Sequence, residues 1–191
     1  MSDLNPAEPV AETVCSARLR ALLRYWAEKA AGRAMPFRRQ IEPTEIPRLL
    51  PIALLADVTL SGARMRLLGS EATSAYGKET RGLSVADIQF GDFTVPWLDA
   101  FFRVIQSAKP AFAAGPYRRG NELCRIETVL MPLTEDGVSI SQIFGGLLIR
   151  PAPSSGTIGQ DSIRDFSMPL AGRTSGGADS RRAGPFSRDY R

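Results

Sequence analysis

The stretch Ala111 to Ile149, AFAAGPYRRGNELCRIETVLMPLTEDGVSISQIFGGLLI, decides the fold. Two turn signals, Arg119-Gly-Asn121 and Glu135-Asp-Gly137, divide it into three β-prone runs, Ala111 to Arg118, Cys124 to Leu133 and Ile140 to Ile149. The Asp-Gly pair is the strongest hairpin signal in the chain, because a tight antiparallel turn needs residues that tolerate positive φ. Just upstream, Thr94 caps an expected helix from Val95 to Ala108, in which Trp97, Leu98, Phe101, Phe102, Val104 and Ile105 make a wide apolar stripe. Lys109-Pro110 ends it. Further back, Ile52 to Leu60 and Arg64 to Leu68 read as a hairpin closed by Ser61-Gly62. The segment Gly69 to Ile88 lies between hairpin and helix, and breaks at Gly77 and Gly82 into short helical turns and loops.

A second amphipathic helix leads the domain. Leu19, Leu22, Leu23, Trp26, Ala27 and Ala30 recur at helical spacing and Gly32 stops it. Four prolines, Pro36, Pro43, Pro47 and Pro51, then forbid a long element, although Thr44 can cap a short helical turn. Five strands with the three last in hairpin succession give an α+β class with an antiparallel sheet. A lone sheet must cover one face, and the only large apolar helix inside the domain is the Trp97 to Ile105 stripe.

Composition excludes much chemistry. The 191 residues contain no histidine, which removes the commonest general base, metal ligand and haem ligand together. Cys15 and Cys124 lack CxxC spacing and read as reduced thiols of a cytoplasmic protein. The first residues carry no secretory signal, and Leu49 to Ala56 is far shorter than the roughly 18 apolar residues of a membrane span. Residues 1–12 and the Gly-, Pro- and Ser-rich residues 151–191 read as disordered ends, which leaves 13–150 as the ordered domain. Of the net charge of +4, the tail supplies +2 through six arginines and four aspartates. The pairs Arg38-Arg39 and Arg118-Arg119 have no base-stacking aromatic platform, so nucleic acid is not an expected partner, nor is a membrane.

The same order of elements resembles a PAS domain, and more specifically the single-domain PAS proteins common in alphaproteobacteria. The residues that carry the resemblance are Leu23-Arg-Tyr-Trp26 with Gly32-Arg33, the link Ile41-Glu-Pro-Thr-Glu-Ile-Pro-Arg-Leu-Leu-Pro51, and Asp57. To these are added Leu67-Leu-Gly-Ser70 with Glu71, Tyr76-Gly77, Thr80-Arg-Gly-Leu83 and Gly145-Gly146. The resemblance implies a five-stranded antiparallel sheet with helices on one face and a small interior that holds either cofactor or side chains. It also implies an N-terminal amphipathic helix outside the sheet, whose apolar face must then pack on the sheet's back or on a second subunit.

The chemistry expected of that fold here is binding rather than catalysis, and no catalytic, metal or cofactor site is expected. Asp57, Asp87, Asp92, Asp99, Glu122 and Glu127 each read as strand, turn or helix-end residues, Glu127 on the polar side of an alternating strand. No asparagine-cysteine-arginine segment supports flavin photochemistry. The candidate ligand-lining set is Tyr76, Trp97, Phe101, Ile126, Thr128, Leu130 and Phe144, and the candidate interface is Leu19, Leu22, Leu23 and Trp26. The expectation is a non-enzymatic cytoplasmic PAS regulator that contacts a signalling partner protein and forms a homodimer through the leading helix. A small-molecule or cofactor sensor with a pocket between sheet and helices is the alternative.

Overall fold

The computed structural model of the chain describes residues 16–152. The ends read as disordered, 1–12 and 151–191, lie outside the described residues except Pro151 and Ala152, as does Cys15. Helix α1 (Ala17–Ala30) opens the domain and ends where Ala31 and Gly32 both take positive φ, 48° and 82°. Three short 3-10 turns follow, at Arg38–Gln40, Pro43–Glu45 and Leu50–Ile52. Glu42, not Thr44, stands before the second of them, because Pro43 with its fixed φ takes the first position.

Strands β1 (Ala53–Thr59) and β2 (Gly62–Leu68) form the first hairpin, with a register shift between Leu55 and Ala56. Helix α2 (Ser70–Tyr76) and two short turns lead to α3 (Thr94–Ser107). Strands β3 (Ala111–Arg119), β4 (Glu122–Thr134) and β5 (Ile140–Pro151) complete one antiparallel sheet in the order β2-β1-β5-β4-β3. The last strands run beyond their apolar cores because polar ends keep ladder partners, Arg119 opposite Glu122 and Thr134 opposite Ile140. Among the described residues no helix is long and apolar enough to cross a membrane.

Alternation along the strands sorts the core into two clusters, one on each side of the sheet. On the inner face Leu54, Ala56, Met65, Ile126, Leu130, Ile143 and Leu147 pack with Trp97, Ala100, Phe101 and Val104 of α3. On the outer face Leu55, Val129, Met131, Leu133, Phe144 and Leu148 pack with Leu19, Leu22, Leu23 and Trp26 of α1 and with Ile41 and Ile46 of the proline-rich link. Helices therefore cover both faces. Phe102, expected in the apolar stripe of α3, faces solvent, since the sheet covers a narrower arc than the six-residue stripe spans.

Helix α1 sits close because Gly146 lies beneath it. A Cβ added there would meet Leu22 Cδ1 at 2.5 Å and Leu19 Cδ2 at 2.8 Å, closer than side chains pack. Around that seat, Trp26 Nε1 donates to the Pro132 carbonyl at 2.8 Å. Arg18 reaches both oxygens of Glu71 on α2, at 2.7 and 2.8 Å. The turn between β4 and β5 is closed by Asp136. Its Oδ1 accepts from the N–H groups of Val138 (2.8 Å) and Ser139 (2.7 Å) and from the Thr134 hydroxyl (2.9 Å), which holds its carboxyl far below the usual carboxylate range.

Two outcomes are expected. Gly146→Ala should lose about 1–3 kcal/mol in urea unfolding, because the Leu19 and Leu22 tips it meets are themselves fully buried, whereas an unchanged midpoint would show that those tips turn aside without loss of packing. Asp136 is depressed in the folded state, so its contribution is complete above the unfolded carboxylate value of about 3.9 and disappears as pH falls below it toward the folded value. The melting-temperature gap between wild type and Asp136→Asn should therefore be widest near neutrality and narrow in acid; a gap independent of pH would contradict the turn's role.

Candidate functional site

The space between sheet and helices is organised around the ring of Phe90, which the sequence reading did not single out. Phe90 is 1% exposed and meets four aromatic rings: Tyr76 at 4.8 Å, Trp97 at 5.2 Å, Tyr117 at 5.7 Å and Phe93 at 6.1 Å between centroids. Trp97 in turn meets Phe101 at 4.8 Å. Tilted and edge-on contacts of this kind each add about 0.5–1.5 kcal/mol beyond area burial. The Phe90 N–H donates to Thr94 Oγ1 at 2.8 Å, so the hydroxyl expected to cap α3 instead fixes the loop that carries the ring. Nearby, Trp97 Nε1 donates to the Val85 carbonyl at 3.2 Å and the Gln89 N–H donates to the Tyr76 hydroxyl at 3.3 Å.

Six of the seven candidate ligand-lining residues belong to this inner side. Tyr76, Trp97, Phe101, Ile126 and Leu130 are members or neighbours of the inner cluster, and Thr128 shares the strand face of Ile126 and Leu130. Thr128 spends its hydroxyl inside the sheet, donating to the Gly146 carbonyl at 2.9 Å. Phe144 is a correction: it lies on the outer face with α1, because the period of two places it opposite Ile143 and Leu147. Burial pushes the Tyr117 phenol up, reinforced by Tyr76 beside it.

The candidate interface is corrected as well. Leu19, Leu22, Leu23 and Trp26 are at most 1% exposed within a single chain, consumed by the sheet's outer face, and offer no apolar stripe to a second copy. The same helix is tied to the proline-rich link by Tyr25, whose hydroxyl donates to Glu45 Oε2 at 2.7 Å and accepts from the Glu42 N–H at 2.8 Å. Burial, and after it the bond to Glu45, push that phenol up to about 12. Glu45 is held below its usual value by the bonds from Lys29 and Tyr25.

Polar groups gather on the outer face and its rim. Glu127 is buried on that face, not on a solvated one, and pairs with Arg125 Nε at 2.9 Å and Arg150 at 3.4 Å. Asp57 accepts from Gln142 Nε2 at 2.5 Å, in keeping with its reading as a strand hydrogen-bonder. Beside β2 a concavity of about 340 Å³ is lined by Arg38, Leu55, Arg66, Leu67, Leu68, Glu79 and Arg81. Arg38 also lines a neighbouring one of about 320 Å³ with Phe37, Arg39, Thr134 and Glu135. A third, about 390 Å³, lies against Tyr117, Arg118 and Asp92. None of the three contains a residue of the candidate ligand-lining set. Among the described residues no three His, Cys, Asp or Glu side chains converge on a metal position.

This five-stranded antiparallel sheet with helices on both faces is a PAS fold, and residues 14–148 match the PAS domain family. The chain belongs to that family. No curated protein matches the sequence. Among solved structures, the chain is similar to a light-oxygen-voltage domain studied with a flavin analogue, at 6% identity over 56% of this chain and 82% of that one, with a TM-score of 0.47. It is similar to a Rhodobacter sphaeroides LOV protein at 14% identity, over 56% and 63% of the two chains, TM-score 0.44. The PAS domain of Bordetella pertussis BvgS matches at 15% identity, over 58% and 84%, TM-score 0.43.

Removing the central ring should open the interior. Phe90→Ala is expected to cost about 3–5 kcal/mol in denaturant and to create a dry apolar vacancy. Benzene at saturation should then raise the variant's unfolding midpoint and leave wild type unmoved; an equal rise in both would show that the interior is open without the substitution.

Proposed function

We propose that the protein is a non-enzymatic cytoplasmic PAS regulator that works in signal transduction by contact with a partner protein. PAS domains are generally sensory rather than catalytic modules, and membership of the family supports a sensing role. The observation that carries the finer reading is Phe90, whose side chain occupies the centre of the interior against four rings, so that a ligand entering there must first displace it. The resemblance to single-domain PAS proteins supports an output that lies in another molecule. A homodimer is part of the proposal, built on surfaces other than the apolar stripe of α1.

Coupling to the partner runs through the whole domain. β5 carries inner residues that touch α3's layer and outer residues that touch α1's, so a displacement on either face is felt by the other. Native mass spectrometry of the freshly purified protein, set beside its denatured mass, tests the reading. A bare whole-number multiple of the chain mass is expected. Stoichiometric extra mass lost on denaturation would overturn it in favour of a small-molecule or cofactor sensor with its occupant between sheet and helices.

A further inference from the structure

Resting on that reading of the protein as a partner-binding regulator, we propose that the arginine-lined concavity beside β2 is the docking site for an extended acidic segment of the partner that also carries apolar side chains. Three guanidinium groups, Arg38, Arg66 and Arg81, stand around it against one carboxylate, Glu79. That carboxylate is already committed to its own loop, since Oε1 accepts from the N–H groups of Thr80 and Arg81 at 2.9 Å each. The arginines have capacity to spare. Arg66 reaches Asp57 only at 3.4 Å, while Asp57 takes the much shorter bond from Gln142 at 2.5 Å. Arg38 donates to the Ile41 carbonyl at 3.2 Å, which braces it in place. The Arg81 side chain makes no hydrogen bond or ion pair among the described residues. Planar guanidinium forks match carboxylates two bonds at a time, which gives such a site direction as well as charge.

The floor selects the rest of the occupant. Leu55, Leu67 and Leu68 line the concavity, and Leu67 is 47% exposed beside Arg66 on the same strand. Basic wall and leucine floor fit a peptide that alternates acidic and apolar side chains, as an extended segment does from one face to the other. Arg38 carries the basic surface on to Arg39 in the neighbouring hollow. Nucleic acid fits less well. The Phe37 ring is covered by Arg33 at 5.5 Å and Arg39 at 4.7 Å, so it offers no stacking platform for bases along the basic surface.

The test uses the full chain and a fluorescein-labelled peptide of about twelve residues with alternating glutamate and leucine, followed by fluorescence anisotropy. Wild type should bind, Arg81→Glu and Arg66→Gln/Arg81→Glu should weaken binding by about tenfold or more, and added salt should weaken wild type in parallel. Arg118→Glu, an identical charge change on the β3 side of the sheet, should bind as wild type does, and circular dichroism melts should show every variant folded. Equal weakening by Arg118→Glu and Arg81→Glu would overturn the site, because net charge alone would then explain binding. Absence of binding, or tighter binding of a single-stranded oligonucleotide of matched charge that Arg81→Glu abolishes, would overturn the acidic-peptide assignment. Those results leave the partner-contact reading standing, since only stoichiometric ligand mass in the native spectrum removes it.

Discussion

The rest of the structure depends on a close approach: α1 rests on the outer face of the sheet over Gly146, where a methyl group would collide with Leu19 and Leu22. A five-stranded sheet has two faces, and each must be covered by something apolar. Here α3 and the Phe90 loop take one and α1 takes the other, so burying Leu19, Leu22, Leu23 and Trp26 stabilises the domain itself, each by about 1.5–3 kcal/mol in transfer terms. Once that face is used, the helix is not a free arm. The proline-rich link is drawn into the same layer, with Ile41 and Ile46 buried and Glu45 bonded to Tyr25 and Lys29.

The two layers share β4 and β5 but differ in chemistry. The inner one is aromatic and apolar around Phe90, and its polar groups are turned to local backbone partners: Trp97 to Val85, Thr128 to Gly146. The outer one admits charge. Glu127 is buried there between two half-exposed arginines that keep much of their hydration, an arrangement far less costly than burying both members of an ion pair. Beyond the edge of α1's cover, around β2, the outer side turns basic, with Arg38, Arg66 and Arg81 above a leucine floor. The aromatic interior around Phe90 and the basic, open rim beside β2 are thus separate environments of one sheet.

Much of this was legible in the residues. Asp136-Gly137 and Ser61-Gly62 announce turns by local chemistry, and strands fall on either side of them. The alternation of Met65 and Leu67 with Arg64 and Arg66 announces β2 but not its faces, since the register shift puts Met65 in the inner cluster and Leu67 opposite the outer residue Leu55. The spacing of Leu19, Leu22, Leu23 and Trp26 announces a buried helical stripe equally well, but periodicity states that a face is buried and not what buries it. Gly145-Gly146 was the available clue: a strand glycine marks close backbone approach, and reading it together with the helix would have seated α1 on the sheet. One residue of parity separates Phe144 from the inner set, and alternation alone does not show that Glu127 is buried beside Arg125 and Arg150. Phe90 and the Arg38, Arg66, Arg81 group were out of reach, since each is assembled from segments far apart in sequence with no periodic signal of their own.

The most direct test of this account is native-state hydrogen exchange across a denaturant series, comparing amides of α1 between Leu22 and Trp26 with those of the β4–β5 ladder. If the helix is an integral cover of the sheet, both sets open with the same free energy and the same denaturant dependence, that of global unfolding. Helix amides that exchange through a separate low-energy opening, while the ladder stays protected, would contradict it and return α1 to the role of a detachable arm.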